Sequence, residues 1–472
     1  MSGPYGVTQG TGGPRVRAGG AGAPRAHPGA GRLVGEWDGP VAVFRGIPFA
    51  APPVGDLRWR PPRPAARWDG ERRAEQFGPA PLQPQPPSDS VMYRTNFADR
   101  HALVMSEDCL YLNVWTPDPA PGTGLPVMVW IHGGGNRYGH GSQDIHDGRA
   151  LAGRGPVVVT LNHRLGALGF LAHPGLAAED DLHASGNYGL LDIVAALTWV
   201  RTHIAAFGGD PDRITLAGNS AGAAHICHLM AAAPTARPHF RAALGQSASG
   251  VGRAEGPLPG PAEAQKRGLA YAEEFGGRDV EGLRRISGVE LIVRGHFGPV
   301  VDGRILTEPT DAVFATGRQH RVPLLVGSNR DEGTVYASAD EDAGTVGDAR
   351  FVGPVWQWAR SHAATGTPTW IYRFDRRPPL PPGLPDPGVH HTAELPYVLD
   401  NLDRRPDWPW QDTDRRLAAL MADTWARFVA TGDPGGPDLP PWPRFTGPRT
   451  SPAMFFGDTV RQDVLSRPAP PD

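Results

Sequence analysis

The sequence predicts an α/β fold in which a mostly parallel central sheet carries helices on both faces. Three observations predict it. Short continuous apolar runs, Val127-Met128-Val129-Trp130-Ile131 and Val157-Val158-Val159-Thr160-Leu161, have the length and β-branched content of strands buried on both sides. Helical spacing alternates with them: Leu190, Val194, Leu197, Val200, Ile204 and Phe207 recur at intervals of three and four, which gives one core-facing stripe. Finally, Ile214-Thr215-Leu216-Ala217 runs straight into Gly218-Asn219-Ser220-Ala221-Gly222 and then into small residues suited to open a helix. Repeated strand–helix units require crossovers, and crossovers make neighbouring strands parallel.

The remaining elements follow in order. Residues 1–30 are rich in Gly, Pro and Ala without apolar periodicity, so a disordered leader is expected there. Residues 31–472 show neither internal repeats nor a linker, and one domain is expected. Val322-Pro323-Leu324-Leu325-Val326 and Thr369-Trp370-Ile371-Tyr372-Arg373-Phe374 read as later strands. Leu417, Leu420, Met421, Trp425 and Phe428 mark a C-terminal helix stopped by Gly432 and Pro434.

The chemistry begins at Ser220. A serine held between a strand and a helix is strained and exposes its hydroxyl, and flanking glycines are needed because a Cβ there meets the neighbouring backbone. This nucleophile elbow predicts the α/β-hydrolase fold, a single catalytic domain and Ser220 as nucleophile. Gly-x-Ser-x-Gly alone is weak in a chain with 62 glycines. Its flanks strengthen it. The strand ending at Ile131 runs into His132-Gly133-Gly134-Gly135, where unobstructed backbone N–H groups suit a developing oxyanion. Gly134, Gly135 and the N–H of Ala221 are the candidate donors. An acid and then a histidine must follow in the chain. Gly327-Ser328-Asn329-Arg330-Asp331-Glu332-Gly333 offers Asp331 or Glu332, and Val389-His390-His391-Thr392-Ala393-Glu394 offers His390 or His391.

Together these motifs resemble the type B carboxylesterases, the family of bacterial p-nitrobenzyl esterases, animal carboxylesterases and cholinesterases. Val43-Phe44-Arg45-Gly46-Ile47-Pro48-Phe49-Ala50-Ala51-Pro52-Pro53 opens the resemblance, and Ser106-Glu107-Asp108-Cys109-Leu110-Tyr111-Leu112-Asn113-Val114 is similar to the family's second signature. Gly186-Asn187-Tyr188-Gly189-Leu190-Leu191-Asp192, Phe207-Gly208-Gly209-Asp210-Pro211, Pro299-Val300-Val301-Asp302-Gly303 and Thr431-Gly432-Asp433-Pro434 extend it from about residue 33 nearly to the end. The resemblance implies Ser220 as nucleophile, Glu332 as acid, and His391 as base because it fits the family's His-x-x-Glu pattern with Glu394. Asp331 and Glu394 are then supporting residues. The resemblance also implies buried pairs of Arg58 with Glu107 and Arg164 with Asp192. His132 is expected to anchor the glycine loop, and His225 and His228 to be satisfied helix residues. The tryptophans around 59–68 and 408–410 are expected to pack under loops.

The implied function is hydrolysis of neutral carboxylic esters through an acyl-enzyme, with no metal or organic cofactor. An amidase or carbamate hydrolase using the same residues is the alternative, and a non-catalytic binding homologue a further one. Asn219 stands where relatives carry Glu or Gln, and Asn136 where many carry Phe, so a neutral and more polar pocket is expected. Only 59 positions separate Glu332 from His391, fewer than is usual in the family, which implies a more open cleft. That opening predicts bulky alcohol groups, and the missing carboxylate predicts no preference for choline esters.

Composition limits the partners. A net charge of −3 on 472 residues gives no reason to expect nucleic acid. Lys266 is the only lysine, and the Arg, Gly, Pro and Ala bias suggests a GC-rich bacterial genome. Only Cys109 and Cys227 occur, and Phe77-Gly78-Pro79-Ala80-Pro81-Leu82 lacks the cysteine that secreted relatives carry, so no disulfide framework is expected. No signal peptide and no run of 18 apolar residues is read, which points to the cytoplasm and to no membrane span. Oligomeric state is open, with a monomer expected to suffice.

Overall fold

The structure, a computed structural model, describes residues 22–88, 90–447 and 449–466. Its centre is a sheet of eleven strands. In chain order these are β1 (Glu36–Asp38), β2 (Val41–Pro48), β3 (Tyr111–Thr116), β4 (Leu125–Ile131), β5 (Val157–Leu161), β6 (Gly209–Asn219), β7 (Ala242–Gln246), β8 (Leu324–Asn329), β9 (Thr369–Phe374), β10 (Thr450–Phe456) and β11 (Val460–Ser466). Spatially they run β11-β10-β9-β8-β7-β6-β4-β5-β3-β2-β1. Neighbours are parallel from β5 across to β10, and antiparallel strands close both edges.

Four helices cover it: α1 (Tyr188–His203), α2 (Ala221–Ala231), α3 (Gly353–Ala363) and α4 (Asp412–Thr431). The pleat divides each central strand between two cores. Val127, Val129 and Ile131 of β4 join Leu190, Ile193, Ile226 and Trp358 of α1, α2 and α3 on one face. Met128 and Trp130 join Leu417, Met421, Trp425 and Phe428 of α4 on the other. Continuous apolar strands are what such double coverage demands. The stretch Tyr188–Phe207 is long and apolar enough to cross a membrane by composition, yet it is the core helix over the sheet.

Both implied ion pairs form. Arg58 donates from Nε to Glu107 at 2.7 Å and caps the Ile286 carbonyl at 2.7 Å, so it ties three distant segments. Arg164 clamps Asp192 through Nε at 2.8 Å and Nη2 at 2.7 Å, with both residues buried. The tryptophans pack as expected: Trp59 is buried and donates to the Ala167 carbonyl at 2.9 Å, while Trp408 and Trp410 stack at 5.2 Å.

One expectation about chain organisation needs correction. Residues 1–21 of the expected leader lie outside the described residues, but its end belongs to the fold. Arg25–Ala26 pairs with Arg32–Val34, and Ala26 is fully buried against the first core. A two-residue strand in a Gly/Pro-rich stretch has no periodicity to reveal it; the long-range partner makes it. The C-terminal hairpin β10–β11 was also not foreseen. β11 is an exposed edge whose Arg461, Gln462 and Asp463 face solvent, so it shows no apolar alternation.

Candidate active site

Three loops at the carboxyl ends of the parallel strands converge, where ligands bind in open α/β sheets. The first is the turn after β6. Because β6 ends at Asn219 and α2 begins at Ala221, Ser220 alone makes the turn, at φ 54° and ψ −127°. This conformation costs of order 1–3 kcal/mol for a residue with a Cβ. It is held by the Ser220 N–H on the Gln246 carbonyl at 2.7 Å and by the Ala224 N–H on the Ser220 carbonyl at 3.1 Å. Close approach explains the flanking glycines. A Cβ on Gly222 would stand 2.1 Å from the Ile131 carbonyl oxygen, and one on Gly218 2.8 Å from the same atom.

The second loop follows β4. Gly134 and Gly135 have φ of 105° and 62°, values that a side chain resists. Among the hydrogen bonds of the described residues, none is donated by the backbone N–H groups of Gly134, Gly135 or Ala221. His132 anchors the loop by donating from Nδ1 to the Gly133 carbonyl at 2.8 Å.

The third group assembles at the ends of β8 and of the loop before residue 395. Glu332 is buried and accepts the Asn329 N–H at 2.7 Å on Oε1, while Oε2 accepts from His391 Nδ1 at 2.6 Å. That bond fixes the tautomer, leaving His391 Nε2 as an acceptor. Nε2 is buried and has no partner among the described residues. His391 and Ser220 line the same cleft. The Phe351 ring covers the imidazole at 4.3 Å, Tyr336 meets it edge-on at 5.2 Å, and the Tyr336 phenol lies beside the Ser220 hydroxyl.

The geometry separates the alternatives the residues had left open. Asp331 turns away: its Oδ2 accepts the Val389 N–H at 2.7 Å and so pins the histidine loop. His390 places Nδ1 on the Gly388 carbonyl at 3.3 Å, and burial pushes its pKa down to about 4. Glu394 does more than support its neighbour. Its fully buried carboxylate accepts from Asn219 at 2.8 Å, Gln246 at 2.9 Å and Asn329 at 2.6 Å. Each of those amides belongs to a segment that carries or braces Ser220 or Glu332. Asn329 and Gln246 were not singled out in the sequence, although both sit at strand ends beside catalytic loops.

Other expectations fail here. Asn136 does not line this cleft; it faces a separate small cavity with His296 and Phe297. Its positive φ of 61° turns the chain, and its carbonyl accepts the Gly166 N–H at 2.7 Å. Nor does the short segment leave the cleft open. Met92, Thr95, Asn96 and Phe97, from an excursion far upstream, form one wall, and the space available to a water-sized molecule is only about 40 Å³. His225 is not satisfied: both ring nitrogens are buried without partners, and the ring packs as an aromatic, stacked on Phe170 at 5.8 Å. His228 has one partner, Thr310, at 2.7 Å.

No Asp, Glu, Lys or Arg is among the residues lining the cleft. Nucleophile turn, carboxylate-oriented imidazole and idle amides stand at one end of a parallel sheet covered on both faces, and the molecule falls among the serine hydrolases of the α/β-hydrolase fold. Similarity to known proteins narrows that class. The model of the carboxylesterase family matches residues 29–345 and 338–464, and the chain belongs to that family, in its type B branch. It is 36% identical over 484 residues to the fumonisin B1 esterase of Sphingopyxis macrogoltabida, covering 90% of this chain and 84% of that one. It is 35% identical over 511 residues to the phenmedipham hydrolase of Pseudarthrobacter oxydans, covering 94% and 98%. A solved p-nitrobenzyl (PNB) esterase superposes with a TM-score of 0.81 at 30% identity, covering 93% of this chain and 97% of that chain. The protein is therefore a serine carboxylesterase, hydrolysing carboxylic esters.

Proposed function

We propose that Ser220 attacks the ester carbonyl while His391 Nε2 takes its proton, with Glu332 orienting the ring and stabilising the imidazolium. The amides of Gly134, Gly135 and Ala221 receive the oxyanion. His391 then protonates the leaving alcohol, and water repeats the cycle on the acyl-enzyme. This acyl transfer draws on protein groups alone and calls for no metal or organic cofactor. The observation that carries the reading is the 2.6 Å bond from His391 Nδ1 to Glu332, behind a strained serine on the same cleft.

The substrates are neutral carboxylic esters. Asn219 is committed to Glu394, and no charged side chain lines the cleft, so nothing there rewards a cationic alcohol. The narrow cleft favours slim groups over bulky ones, the reverse of what the short segment suggested. A second reading, carbamate hydrolysis with the same residues, is favoured by the likeness to a phenmedipham hydrolase. The buried free thiols of Cys109 and Cys227 suit a reducing compartment, and we place the enzyme in a bacterial cytoplasm, acting as a monomer; fractionation and sedimentation test both.

The test is labelling by a fluorophosphonate followed by peptide mapping. The label should fall on Ser220 and vanish in Ser220→Ala; a label elsewhere removes the assignment of the nucleophile, and none at all revives the binding homologue. Turnover of an ester against its matched carbamate decides between the two hydrolytic readings.

A further inference from the structure

One wall of the cleft carries two polar groups that the chemistry does not use. His146 is buried and lines the cleft, with its ring tilted on Trp130 at 5.6 Å. Its Nδ1 reaches the His140 carbonyl at 3.3 Å. A carbonyl only accepts, so Nδ1 carries the proton and Nε2 is left as an acceptor. No bond to Nε2 exists among the described residues, and that atom is not sealed from the cavity as the orphaned nitrogens of His132, His163 and His225 are. Burial, aided by His132, pushes the ring down to about 3, so it stays neutral at working pH and Nε2 keeps its lone pair.

Asn96 stands on the adjoining stretch of wall. Its Oδ1 accepts the Thr392 hydroxyl at 2.9 Å, and its carbonyl accepts Gln143 Nε2 at 2.8 Å. The Thr392 hydroxyl also contacts the His391 carbonyl, and no bond from Asn96 Nδ2 exists among the described residues. The two residues are tied through their backbones by Gln143, whose carbonyl accepts the His146 N–H at 2.8 Å. A histidine kept only for packing would have both nitrogens closed off or satisfied. Here the open acceptor and open donor lie among the apolar Met92, Phe97, Ile145 and Leu395, with Thr95, Gln143 and Thr392 as the other polar neighbours.

We propose that Asn96 and His146 form a polar subsite that accepts a hydroxyl or N–H carried by the substrate, making the enzyme selective for hydroxylated or carbamate-type esters over their hydrocarbon isosteres. The proposal rests on Ser220 chemistry in this cleft. Its discrimination arises because a substrate with a methyl group in that place leaves buried polar groups unpaired.

The experiment uses matched pairs that exchange O–H for CH₃ on each side of the ester: ethyl 3-hydroxybutyrate against ethyl isovalerate, and 2-hydroxyethyl butyrate against propyl butyrate. Each kcat/KM is normalised to the hydroxide-catalysed rate of the same ester. In one pair the hydroxylated member should be preferred by about tenfold or more. His146→Phe, which keeps an aromatic on Trp130, should bring that ratio to about one. His146→Gln, which retains an acceptor oxygen, should restore part of it. Asn96→Ala provides a second variant if the ring position does not tolerate change. No preference in either pair, or a preference unchanged in both His146→Phe and Asn96→Ala, overturns the subsite. Fluorophosphonate labelling separates the failures: absence of a label on Ser220 defeats the reaction assignment, whereas a labelled enzyme without the ratio defeats the subsite alone.

Discussion

Replacing Glu394 by Gln tests whether the buried amide cluster holds the reactive groups in place. Glu394 Oε1 accepts from Asn219 and Gln246, and Oε2 accepts from Asn329. A glutamine carbonyl can keep the first two, but its NH₂ then meets the Asn329 NH₂, donor against donor. The loss is one hydrogen bond to a charged acceptor, about 1.5–3 kcal/mol. Against it stands relief from a buried charge. Burial first, and the charge of Glu332 second, hold the Glu394 pKa above its usual value, so ionised Glu394 is maintained at a cost that Gln lacks. The hydrogen-bond loss wins, but narrowly, by about 1–2 kcal/mol. With an unfolding entropy near 2.1 cal/mol/K per residue, that lowers Tm by only about 1–2 °C. Activity is the sharper reading. Asn329 also supplies the N–H on Glu332 Oε1 at 2.7 Å, so freeing it displaces the acid, and misplacement of that order costs about 10–100-fold in kcat. The sign with pH is fixed. A carboxyl whose folded pKa is raised contributes stability fully below its unfolded value, near 4.5, and loses it as pH rises through the folded value. The gap in Tm between the native protein and E394Q should therefore be widest near pH 5 and shrink by pH 8. Calorimetry and kcat across that range decide it. A gap that widens with pH, or a kcat within twofold of native throughout, refutes the reasoning.

Ser220→Ala should lower kcat by roughly 10⁵ or more, His391→Ala comparably, and His390→Ala far less; a larger loss at His390 would reverse the choice of base. Breaking the buried pair with Asp192→Ala should cost about 3–5 kcal/mol in urea unfolding, because Arg164 is left charged and unpaired, and a loss under 1 kcal/mol would contradict that. Burial pushes His163 and His228 down to about 3, so stability is full above pH 6.5 and should fall by about 1.4 kcal/mol per histidine for each pH unit below it. Urea midpoints that stay level between pH 7 and 5 would show those rings taking up protons as freely as in the unfolded chain. Activity should persist in EDTA and in reductant, and a loss restored by a divalent ion would contradict acyl transfer by protein groups alone.

Much of this was legible in the residues. The strands of the parallel core are continuous apolar runs because helices cover both faces, and β9 begins and ends where its composition says it should. The two elbow glycines announce themselves because nothing larger clears the Ile131 carbonyl. The proposed acid and base were not separable from their neighbours by residue type. Asp331 and Glu332 are adjacent carboxylates, and only the loop's path turns one to Val389 and the other to His391. The cleft wall was illegible for a different reason. Met92–Phe97 has no periodicity, and its place is fixed by remote contacts such as Arg405 on the Thr95 carbonyl at 3.2 Å. Asn136 misled because position after a glycine loop says nothing about which side of the turn a side chain leaves.

That division of labour bears on how the enzyme changes over time. The proposed reacting groups hang from strand ends in the interior, where almost any exchange disturbs two cores at once. The 92–97 excursion lines the cleft yet contributes no strand to the central sheet. Variation can accumulate there without endangering folding, so new ester preferences in descendants should map to this stretch first, while the machinery beneath is inherited intact.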